Sequence, residues 1–431
     1  MSANLSNKLE QPTTPSLHEA LKVWTRIGFL SFGGPAAQIA LMHREIVDAR
    51  QWLSEKQFLN ALSFCMLLPG PEAMQLATYA GWRLHGTLGG LIAGLLFVIP
   101  GAIVIAILAT IYVLYGDVSS VNALFLGVKA AVIVVVIEAL MRVAKRALSL
   151  PEHWIIALLS FVGIYFFTVP YPIIIALAAA FGFMRSTTSV DEHTPSAAPQ
   201  ARFGTLSTIA IWLFIWWAPI LMIGAYNPES LLFDIGLFFS KLAVVTFGGA
   251  YAVLAYLGQD VVSQYGWISA GEMIDGLGLA ETTPGPLILV TEYVGFIAAY
   301  REGGFGYAIA GASMTLWATF IPCFLWIFAS APYIDWISAQ SRLRGALSGI
   351  TAAVVGVILN LSVWFSLHVF FSEVDAQQYG PITLWNPSLE TLDLRVLALT
   401  GLCALLLFKF HWGIIRVLAV SAFIGLLMSW F

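Results

Sequence analysis

The chain contains the same pattern twice, and this internal repeat constrains its fold more than any other feature. Phe32-Gly33-Gly34 recurs 215 residues later as Phe247-Gly248-Gly249. Pro69-Gly70-Pro71 recurs at the same offset as Pro284-Gly285-Pro286. Self-similarity in a fixed register predicts two homologous structural units that share one architecture.

The register extends beyond these two motifs. Trp52-Leu53-Ser54 matches Trp267-Ile268-Ser269 at the same offset, and Ile99-Pro100 matches Ile321-Pro322 after a short insertion. Residues 127–132 then match 349–354. The match therefore covers most of each half of the chain.

We predict five segments from the repeat and from composition. Residues 187–200 are rich in Ser, Thr, Pro and Ala, the composition of a solvated linker. The segments are an N-terminal cytoplasmic tail (1–17), a first repeat (18–184), a polar linker (185–205), a connecting transmembrane helix (206–226) and a second, inverted repeat (227–431).

The composition places both repeats in a membrane. Of the 431 residues, 59% are hydrophobic and 10% are charged, whereas about 25% of the residues of an ordinary soluble domain are charged. A water-soluble core stops growing near about 250–300 residues and still needs a polar shell. The expected fold is an all-α polytopic membrane protein with two homologous helical halves.

Loop charges predict that the two halves have opposite orientations. Arg142, Lys145 and Arg146 follow the long apolar segment of the first half, whereas Arg342 and Arg344 precede the equivalent segment of the second half. Lys and Arg mark cytoplasmic loops, so equivalent loops should lie on opposite faces. The sequence therefore predicts inverted topology, an arrangement common among secondary transporters.

Both motif pairs predict helix breaks. Pro removes a backbone donor and clashes with the preceding turn, and Gly is unfavourable within a helix. Broken helices or re-entrant hairpins at the Phe-Gly-Gly and Pro-Gly-Pro motifs would line a ligand site, while a plain kink or packing contact is the alternative. The predicted site backbone comprises Gly33, Gly34, Gly248, Gly249, Pro69, Gly70, Pro71, Pro284, Gly285 and Pro286.

Two cations occupy the same repeat position near the first breaks. Arg26 and Lys241 each lie six residues before the Phe of a Phe-Gly-Gly motif, and the hydroxyls of Ser31 and Thr246 directly precede that Phe. Two cations near helix N-termini favour a tetrahedral dianion as the ligand. The alternative is that both side chains extend to lipid headgroups.

Carboxylates near the Pro-Gly-Pro motifs are candidates for ion coupling. They are Glu72, Glu281, Asp275 and Glu292. A desolvated carboxylate could carry a proton in exchange for the anion. A structural ion pair with Arg26 or Lys241 is the alternative.

Other function classes find little support. The net charge is −4, so no nucleic-acid partner is expected. The three Cys and seven His follow no metal-binding spacing. We therefore expect no metal, no cofactor and no catalytic residue.

Taken together, the motifs resemble the chromate ion transporter family, long-chain two-domain bacterial type. The resemblance covers nearly the whole chain and rests on Phe32 to Pro35, Leu68 to Gln75, Thr246 to Tyr251 and Thr283 to Pro286. It implies a multi-pass inner-membrane protein that exports chromate by secondary active transport and confers chromate resistance. It also adds Thr283 to the predicted site.

Some alternatives stay open at this stage. One alternative to a chromate exporter is a transporter of sulfate or a different tetrahedral oxyanion. A second alternative is a membrane-embedded enzyme that acts on a phosphorylated lipid. The expected partners are the small inorganic oxyanion and the lipid bilayer, and a homodimer is left open. The two halves should contribute unequally, because Ala250 replaces Pro35 and Leu287 replaces Glu72.

Overall fold

The structure is a computed structural model that describes residues 15–116, 118–186, 203–247, 250–338 and 340–428. Most of the predicted N-terminal tail and most of the predicted linker lie outside these ranges. Gly248 and Gly249 of the predicted site also lie outside the described residues.

All regular secondary structure among the described residues of the first half is helical. Its helices are α1 (Leu17–Leu30), α2 (Gly34–His43), α3 (Glu55–Cys65), α4 (Glu72–Tyr115), α5 (Ser119–Ala147), α6 (Pro151–Tyr165) and α7 (Tyr171–Arg185). A π-helical turn, Arg44–Asp48, extends α2.

A long helix, α8 (Phe203–Tyr226), connects the two halves and packs on α9 and α12 of the second half. The helices that follow are α9 (Leu231–Val245), α10 (Ala250–Gln259), α11 (Ala270–Thr282), α12 (Val290–Ser330), α13 (Ile334–Ser338), α14 (Ser341–Phe370), α15 (Leu394–Ala404) and α16 (Ile414–Met428). A π-helical turn, Asp260–Gln264, extends α10 as its counterpart extends α2.

One element departs from the predicted all-α fold. Strands β1 (Val374–Tyr379) and β2 (Ile382–Pro387) form an antiparallel hairpin after α14. Its two-residue loop begins with Gly380 at a φ of 63°, which a glycine adopts without strain. The Thr383 N–H donates to the Phe166 carbonyl at 2.7 Å and so holds the hairpin against the turn between α6 and α7.

The conserved spacing of the Trp-x-Ser motifs has a local structural cause. Ser54 accepts a hydrogen bond from the Gln57 N–H, and Ser269 accepts one from the Glu272 N–H. In each case the third residue returns a side-chain bond to the Ser backbone. These capping boxes start α3 and α11 at equivalent positions of the repeat.

Helices α4 and α12 are each bent back into two packed arms. The backbone leaves helical geometry at His85 and Gly86 in α4 and at Gly304 in α12. A Cβ on Gly81 would lie 2.3 Å from the Gly89 carbonyl oxygen, so glycine permits the two arms of α4 to touch. Equivalent glycines, Gly295 and Gly311, bring the arms of α12 together in the same way.

The apolar helices are long enough for a multi-pass membrane protein. Five segments of the described chain have the length and composition to cross a membrane. They are Glu72–Tyr115, Ser119–Ala147, Gly204–Tyr226, Leu287–Tyr333 and Ser341–Phe370. Helices α6, α7 and α16 are apolar but shorter. Helix α14 lies at the centre of the bundle and contacts α5, α6, α7 and α10.

Candidate functional site

The chain leaves helical geometry at both motif pairs. Helix α1 ends at Leu30 and α2 begins at Gly34, while α9 ends at Val245 and α10 begins at Ala250. The Pro-Gly-Pro motifs lie between α3 and α4 and between α11 and α12. The glycines that turn the backbone have positive φ values, namely 85° at Gly33, 78° at Gly34, 120° at Gly70 and 90° at Gly285.

The interruptions of one half are completed by the other half. The Gly70 N–H donates to the Thr246 carbonyl at 2.8 Å, and the Gly285 N–H donates to the Ser31 carbonyl at 2.8 Å. Gly70 and Gly285 are equivalent in the repeat, as are Ser31 and Thr246. Each contact therefore has a reciprocal partner, as expected when two similar units meet about a two-fold axis.

Packing beside these bonds is also reciprocal. A Cβ on Gly101 would lie 2.2 Å from the Pro284 carbonyl oxygen, and a Cβ on Gly70 would lie 2.9 Å from the Cys323 Sγ. Gly101 and Cys323 are equivalent because each follows the matched Ile-Pro pair. The second arm of each bent helix thus packs on the Pro-Gly-Pro motif of the opposite half.

The predicted hydroxyl ligands are occupied within their own helices. Ser31 Oγ donates to the Ile27 carbonyl at 2.6 Å, and Thr246 Oγ1 donates to the Leu242 carbonyl at 2.5 Å. Thr283 Oγ1 donates in the same way to the Ala280 carbonyl. All three side chains are buried, and their donors stabilise helix ends.

Two buried amides stabilise the open backbone at the breaks. Gln75 Nε2 donates to the Pro69 carbonyl at 2.7 Å, and Gln38 Nε2 donates to the Gly285 carbonyl at 2.6 Å. Carbonyl groups that lose their helical partner need such donors when they are buried. Both amides belong to the first half.

A cavity of about 440 Å³ lies between the two halves, and we call it the basic cavity. The charged residues of its lining are Arg142, Arg146, Arg344 and Glu72. Gly70 and Glu72 are the members of the predicted site that line it.

Three helix N-termini reach the basic cavity. Its lining includes Pro35 and Ala36 at the start of α2, Ala250 and Tyr251 at the start of α10, and Glu72 at the start of α4. The first turn of a helix has unpaired N–H groups and a partial positive charge. The cavity therefore combines helix termini with guanidinium groups, a combination that favours anions.

The arginines of the basic cavity differ in their partners. Arg142 pairs with Glu138 at 2.5 Å. Arg146 contacts the Met66 Sδ at 3.1 Å, and within the described part of the chain neither Arg146 nor Arg344 forms an ion pair. Two guanidinium groups are thus available to an anion. In the sequence these arginines indicate topology, and their spacing does not reveal a shared cavity.

The structure does not bring Arg26 and Lys241 into one cavity. The Arg26 side chain is 60% exposed and lies 3.5 Å from Glu45, which also pairs with Arg50 at 2.5 Å. Lys241 lines a different cavity, described below, and Arg26 lines neither. Their joint binding of one dianion stays a prediction.

A carboxylate accompanies each of these cations and was not among the predicted site residues. Glu45 and Asp260 are equivalent in the repeat, each in the π-helical turn after the first break. The same offset that aligned Arg26 with Lys241 would have found them.

The four coupling candidates have different surroundings. Glu72 lines the basic cavity, and the buried Glu281 accepts a hydrogen bond at 2.6 Å from the Tyr251 hydroxyl, which also lines it. Asp275 pairs with Lys129 at 3.3 Å and accepts a bond from Tyr112. Glu292 is buried, and its Oε2 has no partner among the described residues.

The described residues include no candidate metal site. Among residues with described placement, no cluster of three or more His, Cys, Asp or Glu could hold a metal ion.

Comparisons with known proteins point to one family. Residues 18–183 and 233–426 match the family model described as chromate transporter. A chromate transport protein of Pseudomonas aeruginosa is 32% identical over 358 residues, 80% of each chain. A probable chromate transport protein of Synechococcus elongatus is 29% identical over 80% of this chain and 83% of its own.

A third relative extends the same pattern. A chromate transport protein of Cupriavidus metallidurans is 29% identical over 80% of this chain and 81% of its own length. No solved structure matches the chain.

Proposed function

Because this chain belongs to the chromate transporter family, we propose that it is a secondary active transporter that binds chromate in the basic cavity and exports it from the cytoplasm across the inner membrane. Export of this kind would confer chromate resistance. The dianion would bind between the two repeats, as the sequence predicts, but on different cations.

The charge of the basic cavity is the observation that carries this proposal. Three arginines and one glutamate are its charged lining residues, so the lining has a formal excess of positive charge that suits a dianion. Guanidinium groups donate several hydrogen bonds in a fixed plane and match tetrahedral oxyanions well. First-turn N–H groups of α2, α4 and α10 would complete the coordination.

Inverted topology is part of the proposal, and the course of two helices supports it. Helices α5 and α14 are equivalent in the repeat. Arg142 and Arg146, near the end of α5, line the same cavity as Arg344 and Ser348, near the start of α14. Equivalent helices that pack side by side with their opposite ends together run antiparallel, as inverted repeats require.

The position of the arginines supports entry of the anion from the cytoplasm. Arg146 and Arg344 are exposed at the mouth of the basic cavity, and clusters of Lys and Arg mark the cytoplasmic face. In this conformation the cavity would accept an anion from the cytoplasm. Alternating access would then release it on the other side.

We assign proton coupling to the carboxylates beside the anion. Glu72 lines the basic cavity, and Tyr251 connects the cavity to Glu281 by a hydrogen bond. An anion and a deprotonated carboxylate in one cavity repel each other. A protonated carboxyl would therefore admit the dianion and a deprotonated one would exclude it, so chromate binding depends on the protonation state of these carboxyl groups.

Sulfate or another tetrahedral oxyanion is the competing substrate. Charge and tetrahedral shape are what guanidinium and N–H donors recognise, and chromate and sulfate share both. Competition by excess sulfate against labelled chromate measures the preference directly.

Chromate uptake by everted membrane vesicles tests the basic cavity. We expect Arg146→Gln and Arg344→Gln each to raise KM for chromate about 10- to 100-fold, because a hydrogen bond to a charged group contributes about 1.5–3 kcal/mol. Arg→Lys at either position should restore part of the affinity, since the charge remains but the planar donor set is lost.

The chain offers matched controls one or two residues away. Lys145 and Arg342 are exposed and do not line the cavity, so Lys145→Gln and Arg342→Gln should change KM by no more than about twofold through screened surface charge. If KM rises equally in the cavity variants and in these controls, the effect is one of general surface charge and the proposed site is wrong.

A further inference from the structure

A second cavity, of about 460 Å³, lies under the β-hairpin, and we call it the hairpin cavity. Its lining includes Lys241, Tyr256 and Asp260 on one side and Gln378, Thr383 and Trp385 of β1 and β2 on the other. It has two charged lining residues, Lys241 and Asp260.

The two cavities share two walls. On α14, Arg344 to Thr351 line the basic cavity, whereas Val357 and Asn360 line the hairpin cavity. On α10 and its π-helical turn, Tyr251 lines the first cavity, and Tyr256 and Asp260 line the second. Both walls therefore run from one cavity to the other.

The barrier between the cavities is short. Thr351 and Val357 are six residues apart, or roughly 9 Å along a helix that rises about 1.5 Å per residue. The intervening residues of α14, 352–356, are all buried. A packed stretch of this length can separate two anion positions without a long closed channel.

The Lys241 ammonium is available to a ligand. It lies 5.7 Å from the centroid of the Tyr256 ring and forms no ion pair with a carboxylate of the described residues. Its repeat equivalent, Arg26, is paired with Glu45. The Lys241 side chain is exposed and shares the cavity with the Asp260 carboxylate without a contact ion pair, so its ammonium can reach an anion in the cavity.

We propose that the hairpin cavity is a second, weaker oxyanion station that the dianion occupies after it leaves the basic cavity. This inference rests on the proposed function. The Lys241 ammonium would supply charge, and the Asn360 and Gln378 amides would donate hydrogen bonds. Because Asp260 offsets the charge of Lys241, the affinity is lower here than among three arginines, and lower affinity favours release.

Thiol protection in the purified full-length protein tests this station. Strand neighbours point to opposite faces, so Gln378 lines the cavity whereas Gln377 does not. At a chromate concentration ten times its Kd for this station, we expect N-ethylmaleimide to modify Gln378→Cys about tenfold more slowly. Gln377→Cys measures any loss of thiol through direct oxidation by chromate, and after correction for that loss its rate of modification should not change.

The role of Lys241 is tested in the same background. Lys241→Gln combined with Gln378→Cys should lose the protection, while Lys241→Arg should retain it because the positive charge remains. Mass spectrometry of the modified peptide distinguishes the introduced thiol from the buried Cys65, Cys323 and Cys403.

Equilibrium dialysis with chromate separates the two proposals. Chromate binding without protection of Gln378→Cys would overturn the second station and leave the proposed function standing. Protection that persists in Lys241→Gln would overturn the assignment of Lys241. Failure of the protein to bind chromate would overturn the proposed function together with this inference.

Discussion

The two halves align in one sequence register, but their equivalent charged residues make different contacts. In the first half, Glu45 lies between Arg26 and Arg50. In the second half the equivalent positions hold Asp260, Lys241 and Tyr265. The first set is a cluster of contact ion pairs, while in the second the ammonium and the carboxylate both line a cavity without a contact ion pair between them. Repeat symmetry thus identifies equivalent positions but not equivalent roles.

The same inequality extends to the centre of the molecule. Glu72 lines the basic cavity, whereas its equivalent Leu287 is buried and apolar. Gly101 packs against a carbonyl of the other half where its equivalent Cys323 has a side chain. At these two positions the first half therefore supplies a carboxylate to the cavity and a close backbone contact, whereas the second half supplies larger or apolar side chains.

The largest effect should come from the glycine contact. A methyl group at Gly101 would lie 2.2 Å from the Pro284 carbonyl oxygen, which is backbone and cannot rotate away. We expect Gly101→Ala to lower the free energy of unfolding by about 3 kcal/mol, while Cys323→Ala costs about 1 kcal/mol because only one buried atom is lost. Thermal unfolding of the purified protein measures both, and equal losses would show that the contact tolerates bulk on either side.

The next effect concerns coupling. In everted vesicles, Glu72→Gln should abolish the dependence of the chromate uptake rate on pH, an effect of about tenfold per pH unit, because an amide neither binds nor releases a proton. Glu281→Gln is the matched test in the second half. If the pH dependence is lost in Glu281→Gln but not in Glu72→Gln, the coupling acid is Glu281, which is bonded to Tyr251.

The smallest effect distinguishes the two repeat cations. We expect Lys241→Gln to lower the chromate transport rate about three- to tenfold and Arg26→Gln to lower it less, because Arg26 pairs with Glu45 and lines neither cavity. Transport assays in everted vesicles compare them. Equal losses of transport rate would support the paired-cation site predicted from the sequence and contradict the comparison of the halves.

Much of the architecture could be predicted from the sequence. Apolar composition and register predict a helical membrane protein in two homologous halves, and the Pro and Gly motifs coincide with the ends of α1, α3, α9 and α11. These properties depend on local geometry and on the period of the chain, which a sequence displays directly.

The charged lining of the site could not be predicted in the same way. Arg146 and Arg344 meet because the end of α5 lies beside the start of α14, a tertiary relation that spacing does not encode. The β-hairpin escaped notice because β1 is polar and exposed along nearly its whole length, so it lacks the alternation that indicates a half-buried strand.

The crossed bonds at Gly70 and Gly285 imply that neither repeat is a self-sufficient folding unit. A lone first half would bury the Ser31 carbonyl and the Gly70 N–H without their main-chain partners. A tether such as α8 supplies the missing partner at an effective concentration on the order of millimolar. If the chain is divided within α8, the two fragments should accumulate only when they are expressed together. Fusion of the two halves into one polypeptide therefore removes the need for a bimolecular association step.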